Sequence, residues 1–311
     1  MSSLRKAADR YLRMRRSLGF ALYEPGLLLE QFIRLAEQEG AAFITQELAL
    51  RWAVQPQGCS LAHWSRRLGV VRQFARHHTA TDPRTEIPPQ NVIPGRYRRK
   101  QPYVYNQKEV LMLLEGARRL SSPTGLRALT YATLFGLLAV TGMRVGEVVH
   151  LDRADVNLRE GWLTLRHTKH GRPRWIPILP STRKALRSYA LRRDKICHRL
   201  QSPRFFVGEN QERLTVNAVQ WTFRKLSHLI GLRRPGERHG PRIHDLRHTF
   251  AVRTLQNWYR SGRDVERYLP QLATYLGHVH VSDTYWYLTG TPELLQWAAT
   301  RADSIKKRRP L

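Results

Sequence analysis

The sequence predicts a mainly α-helical protein of two domains, with a small β-sheet or hairpin in the second. Three observations lead there. The chain has 311 residues, enough for two domains of roughly 100–200 residues each. Apolar residues recur at helical spacing along most of it, and alternation replaces that pattern only around 162–179. Prolines crowd the stretch between the two patterned regions: Pro83, Pro88, Pro89, Pro94 and Pro102.

The first region reads as four helices. Leu4, Ala7, Ala8, Tyr11 and Leu12 line one face of the first. Pro25 suits the start of a second, carrying Leu27, Leu28, Phe32, Ile33 and Leu35. Thr45 with Glu47 opens a third, with Leu48, Leu50, Trp52 and Ala53. Ser60 suits the cap of a fourth, whose apolar face is Trp64, Leu68, Val71, Phe74 and Ala75. Arg66, Arg67, Arg72 and Arg76 are placed on or near its other side. They make either a stripe for a nucleic-acid groove or a plain solvated face.

The second region is mixed. A helix starts near Asn106 with Val110, Leu111, Leu113 and Leu114, and a longer apolar helix covers roughly 125–140. WLTLRH at 162–167 and RWIPIL at 174–179 read as strands. TKHGRP at 168–173 makes the hairpin turn between them. Helices then resume. The expected organisation is a helical domain over 1–90, a basic Pro-rich linker over 91–104, and a second domain with a C-terminal tail over 105–311.

Charge narrows the function. There are 53 Lys plus Arg against 24 Asp plus Glu, a formal net charge of +29. Self-repulsion on this scale opposes compaction unless a polyanion neutralises it. The surplus is not a tail: residues 1–100 hold 17 basic against 8 acidic residues, and the remainder 36 against 16. Both regions therefore face the polyanion, and nucleic acid is the first expectation. No apolar run of 18 residues offers a membrane span, and the N-terminus lacks the apolar core of a signal peptide. Cys59 and Cys197 are too few and too far apart for a disulfide framework or a thiolate zinc site. A cytoplasmic, nucleoid-associated protein is expected.

Four segments carry chemistry. In TGMRVGEVVHL at 141–151, Gly142 gives a tight entry to a helix, and Arg144 and Glu147 share a face. They form either a surface ion pair or an arginine aimed at a phosphate and oriented by the glutamate. At the hairpin, Lys169 sits beside Arg172 and Arg174, on a tip able to enter a DNA groove. In PRIHDLRHTFA at 241–251, His244 and Arg247 are three apart, an imidazole beside a guanidinium. In LGHVHVSDTYWYLTG, His278 is followed by Tyr285 and Tyr287. His278 with His280 lacks a supporting carboxylate cluster, so no metal site and no cofactor are expected.

In this order, RVGE, the hairpin lysine, HDLRH and LGH with a tyrosine nine residues later resemble the catalytic set of the tyrosine recombinases, the phage-integrase family. The resemblance covers about 100–311 well; residues 1–90 resemble the family's helical core-binding domain more loosely. It implies a catalytic set of Arg144, Lys169, His244, Arg247, His278 and Tyr287, with Glu147 in support. It implies a site-specific recombinase or integrase that cuts and rejoins duplex DNA through a 3′-phosphotyrosine link. The partner would be double-stranded DNA with inverted half-sites, gripped by a C-shaped clamp, with a homo-oligomer, a tetramer in the synapse, assembled on it. Arg66, Arg67, Arg72, Arg76, Arg98, Arg99, Lys100, Arg172 and Arg174 are the expected DNA contacts. Tyr285 is a rival nucleophile, and the LGH-to-Tyr spacing favours Tyr287. The 31 residues between Arg247 and His278 exceed the span in shorter members, with the excess placed at 256–270 as a longer loop or an added contact. The tail after Tyr287 packs either in cis or on a neighbouring protomer. The alternatives are a topoisomerase or telomere resolvase, and a DNA-binding regulator of the same fold without chemistry.

Overall fold

The computed structural model describes residues 3–95, 102–166, 168, 173–198, 202–237, 240–288, 293–297 and 299–300. The chain divides into two compact units, Met1–Lys100 and Gln101–Leu311. The first unit has helices α1 (Ser3–Ser17), α2 (Tyr23–Gln38), α3 (Gln46–Val54) and α4 (Leu61–His78). The Thr45 hydroxyl accepts from the Leu48 N–H and the Ser60 hydroxyl from the His63 N–H, so each cap satisfies an otherwise orphaned donor. One apolar core joins the four helices through Leu4, Leu12, Leu29, Phe32, Ile33, Trp52, Leu68, Val71 and Phe74.

That core also takes in a residue expected outside it. Arg67 is buried, with its guanidinium 3.8 Å from the centre of the Trp52 ring. Its Nη2 donates to the Trp52 carbonyl at 2.8 Å. The reason is helical phase: Arg67, Val71, Phe74 and His78 follow one another at three- and four-residue steps along the buried face. Arg72 is half-buried and donates to the carbonyls of Pro88 and Pro89, both at 2.7 Å. The expected four-arginine stripe therefore reduces to Arg66, which pairs with Glu24, and Arg76, both exposed.

The second unit is built on α5 (Gln107–Arg118), α6 (Leu126–Thr141), α7 (Val145–Val149), α8 (Pro180–Ile196), α9 (Val216–Leu229), α10 (Asp245–Arg260), α11 (Val265–Leu276) and α12 (Ser282–Tyr285). A three-stranded antiparallel sheet, β1 (Val156–Asn157), β2 (Trp162–Leu165) and β3 (Arg174–Pro177), lies between α7 and α8 in sequence. The β2–β3 hairpin has the expected strands, while the two-residue β1 is too short to leave a sequence pattern. Leu163, Leu165 and Ile176 point inward, and Trp162 and Trp175 point out. Helix α6 is the central post, with Leu134, Phe135 and Leu138 buried in a core shared with the strands, α8 and α9. Its N-terminus is anchored by Glu209, which accepts from Ser122, Thr124 and the Arg127 N–H. Burial pushes that carboxyl up, but these donors outweigh it and hold its pKa at about 2.

Helices α10 and α11 form a second core in this unit around Val252, Leu255, Leu269, Leu272 and Leu276. Residues 256–270 are not an extended loop: they are the end of α10, a short turn and the start of α11. Leu294 is buried in this cluster and Trp297 packs against it. Among the described residues no helix is long and apolar enough to cross a membrane.

Candidate active site

Two helix C-termini organise the site. Helix α6 is capped by Gly142 at φ 61° and α11 by Gly277 at φ 68°, the left-handed backbone that favours glycine. Space imposes the same residue. A Cβ on Gly142 would sit 2.6 Å from the Phe250 ring, and one on Gly277 2.7 Å from the Arg174 guanidinium. The terminal carbonyls, at the negative ends of their helices, take up two arginines. Arg247 donates from Nη1 to the Gly142 carbonyl at 2.8 Å and from Nη2 to the Leu276 carbonyl at 2.5 Å. Arg144 donates from Nη2 to the Gly277 carbonyl at 3.1 Å. Arg247 thus fixes the turn leading to Arg144, and both arginines hold the turn leading to His278.

Gly142→Ala tests this lock. The left-handed backbone costs an L-residue about 1–2 kcal/mol before Phe250 is displaced. A lower Tm in a thermal melt is expected, together with weaker anion binding as the Arg247 acceptor shifts.

Glu147 lies almost fully buried beneath Arg144. Its carboxylate accepts from the Arg144 N–H at 2.8 Å and from Arg144 Nη1 at 2.9 Å. It also receives a two-pronged bond from Arg174, at 3.0 and 2.9 Å. Burial pushes the Glu147 carboxyl up, but the Arg174 bonds and charge, with Arg144, prevail and hold it below the usual range. Arg174 also donates from Nε to the Tyr275 carbonyl. Expected as a DNA contact, Arg174 is instead spent inside the protein. Strand parity is the reason, since it shares the inward face of β3 with Ile176.

His244 sits at the N-cap of α10, one turn before Arg247. It is exposed at the surface yet crowded by protein atoms, and that crowding, followed by the Arg247 charge, lowers its pKa to about 4. Burial, then Arg247 and Arg144, lower His278 to about 4 as well. Both shifts favour the neutral imidazole, which leaves one ring able to accept a proton and the other able to donate a hydrogen bond.

Tyr287 is buried. Its ring stacks on His278 with centroids 5.9 Å apart, and its hydroxyl is close enough to Arg247 to interact with the guanidinium. Tyr285, by contrast, is 51 % exposed. The ring of His248 lies between the ends of the cluster, 4.8 Å from His244 and 5.4 Å from Tyr287. His248 lies one turn after His244 in the sequence, which places the two on one helix face. The structure therefore brings together Arg144, Glu147, His244, Arg247, His278 and Tyr287. Lys169, Arg172, Arg98, Arg99 and Lys100 lie outside the described residues. Among the described residues no group of three His, Cys, Asp or Glu side chains could hold a metal ion.

Two cationic forks, two neutral imidazoles and a phenol in one place suit a tetrahedral oxyanion. Guanidiniums bind such oxygens in planar, forked geometry. The profile of the Phage integrase family matches residues 104–293. The chain belongs to the phage integrase family. An integrase/recombinase-named protein of Sinorhizobium fredii, y4rB, is 46 % identical over 307 residues, covering 97 % of this chain and 98 % of that one. Tyrosine recombinase XerD of Caulobacter vibrioides is 29 % identical over 234 residues, covering 74 % and 72 %. Among solved structures, the XerH site-specific recombinase in its post-cleavage complex with a palindromic difH substrate superposes with a TM-score of 0.65. It does so at 18 % identity, over 88 % of this chain and 78 % of that one, which makes the fold common to both. Phage integrase family members are DNA breaking-and-rejoining enzymes, and this chain is an enzyme of that class.

Proposed function

We propose that this phage integrase family member is a site-specific recombinase that exchanges DNA strands through a 3′-phosphotyrosine intermediate. The observation that carries the reading is the position of Tyr287 beside Arg247, inside the cluster that also holds Arg144, His244 and His278. Arg144 and Arg247 would bind the nonbridging oxygens of the scissile phosphate and stabilise the charge that builds on them. The Tyr287 oxygen would attack phosphorus, and its proton would pass to neutral His244. The bond from phosphorus to the 5′-oxygen would break, with Lys169 protonating that leaving oxygen. His278 would donate to a nonbridging oxygen. The 5′-hydroxyl of a partner strand would then reverse the step, so that the energy of the bond is kept and rejoining needs no nucleotide. The working assembly would be a homo-oligomer on inverted half-sites, a tetramer in the synapse.

A nicked duplex carrying the DNA that flanks the gene tests this. Once cleaved, it loses a short fragment and traps the covalent adduct. A protein–DNA band that resists denaturation is expected, and it should persist in chelator because the guanidiniums supply the charge neutralisation. No adduct on any flanking sequence would favour a DNA-binding regulator. Relaxation of supercoils or hairpin ends without strand exchange would favour the topoisomerase or resolvase alternative.

The excess charge supports a second expectation. With roughly 6–10 phosphates contacted per protomer, DNA affinity should fall about 10³–10⁵-fold between 50 and 200 mM salt. Fluorescence anisotropy at several salt concentrations measures the slope, and a flat response would count against the clamp.

A further inference from the structure

We infer that Thr284 is a positioning residue that sets the tautomer of His278, so that the outer ring nitrogen carries the hydrogen aimed at the phosphate. The inference rests on the proposed role of His278 and deepens it. The Thr284 side chain is fully buried. Its Oγ1 lies 2.7 Å from His278 Nδ1, and that is its hydrogen-bond partner among the described residues.

A neutral imidazole has one N–H and one bare nitrogen, so two arrangements are open. If Nδ1 carried the hydrogen it would donate to Oγ1. The hydroxyl hydrogen of Thr284 would then be buried with no acceptor, which carries the full desolvation cost of that group. If Nδ1 is bare, the hydroxyl donates to it, every group at the contact is satisfied, and the hydrogen must reside on Nε2. Burial beside Arg247 and Arg144, which disfavours the imidazolium, keeps the ring neutral and the choice of tautomer meaningful.

Local structure makes the contact rigid. Thr284 belongs to the short helix α12, three residues before Tyr287, and the Tyr287 N–H donates to the Thr284 carbonyl at 3.0 Å. The His278 N–H donates to the Ala273 carbonyl at the end of α11 at 2.9 Å. One threonine therefore links the end of α11, the imidazole and the tyrosine segment. The opposite tautomer would present a bare, electron-rich nitrogen to a phosphate oxygen. That contact is repulsive, and the site would lose a donor where charge develops.

Two variants separate hydrogen bonding from packing. Thr284→Val keeps the branched shape and removes the hydroxyl; Thr284→Ser keeps the hydroxyl. Full-length protein labelled with ¹⁵N-histidine gives the protonation of each ring nitrogen, and loss of one signal set in His278→Gln assigns His278. Wild type and Thr284→Ser are expected to show Nε2–H alone, and Thr284→Val a mixture of tautomers. On the nicked duplex, Thr284→Val should form adduct about 10–100-fold more slowly, the range known for the orienting partners of metal-bound imidazoles, and Thr284→Ser should recover most of that loss. Retention of a single Nε2–H tautomer in Thr284→Val would overturn the inference. So would a Thr284→Ser protein with the wild-type tautomer that is as slow as Thr284→Val. If wild type forms no adduct, the recombinase reading fails, while the nitrogen spectra still decide the tautomer.

Discussion

Tyr287→Phe should abolish covalent adduct on the nicked duplex, and Tyr285→Phe should leave it near wild type. The expected loss is about 10⁴-fold or more, the scale seen when a nucleophile is removed. Only one oxygen is deleted, and the ring stays in place against His278 and His248, so the fold should survive. A melting curve within about 1 kcal/mol of wild type would confirm that. Tyr285 differs in kind, because its side chain is exposed whereas that of Tyr287 is buried. We propose that each protomer's tyrosine cuts the phosphate held by its own arginines. Tyr287 lies against Arg247 of its own chain, so cleavage in cis is expected. A mixture of Tyr287→Phe and Arg247→Ala protomers should therefore stay inactive. Recovery of adduct in the mixture would mean that the tyrosine is donated between protomers.

Part of this site was legible in the sequence because it is local. Arg144 with Glu147, and His244 with Arg247, are pairs three residues apart, and helical spacing alone brings each pair to one face. The four N-terminal helices were legible through apolar phase and through the caps at Thr45 and Ser60. Some errors came from phase left unapplied rather than absent. Arg67 falls in register with Val71 and Phe74, and Arg174 alternates with Ile176, so both side chains were addressed to the interior. Counting them as DNA contacts weighed their charge and ignored their parity.

What was not legible is non-local. The locks that position the arginines join Arg247 to a carbonyl 105 residues earlier and Arg144 to one 133 residues later. No spacing rule reaches that far. Gly142 and Gly277 were visible as glycines, but their close approaches to Phe250 and Arg174 exist only after packing. The same holds for Glu147. Its pairing with Arg144 follows from helical spacing, whereas its stronger hold comes from Arg174, on a strand 27 residues further along.

That hold predicts the largest effect on stability. Arg174→Met would leave the Glu147 carboxylate buried with one cation where two now serve it. Breaking a buried pair on one side costs about 3–5 kcal/mol. For a unit of roughly 200 residues this is a fall in Tm of about 6–20 °C. The pH dependence separates charge from lost packing. In the native protein Glu147 is held below its unfolded value of about 4.3, so its stabilisation is complete above that pH and fades as pH falls through the lower folded value. In Arg174→Met the burial that pushes the carboxyl up is less opposed, and its folded value rises. The variant then takes up a proton on acidification and sheds part of its penalty. The Tm gap between the two proteins should accordingly be widest near pH 7 and narrow towards pH 4.5. Pairing Arg174→Met with Glu147→Gln removes the buried charge and should recover much of the loss at pH 7. A gap that is the same at both pH values, or a double variant no better than Arg174→Met, would show that Arg174 acts through packing and that the Glu147 charge is not what it serves.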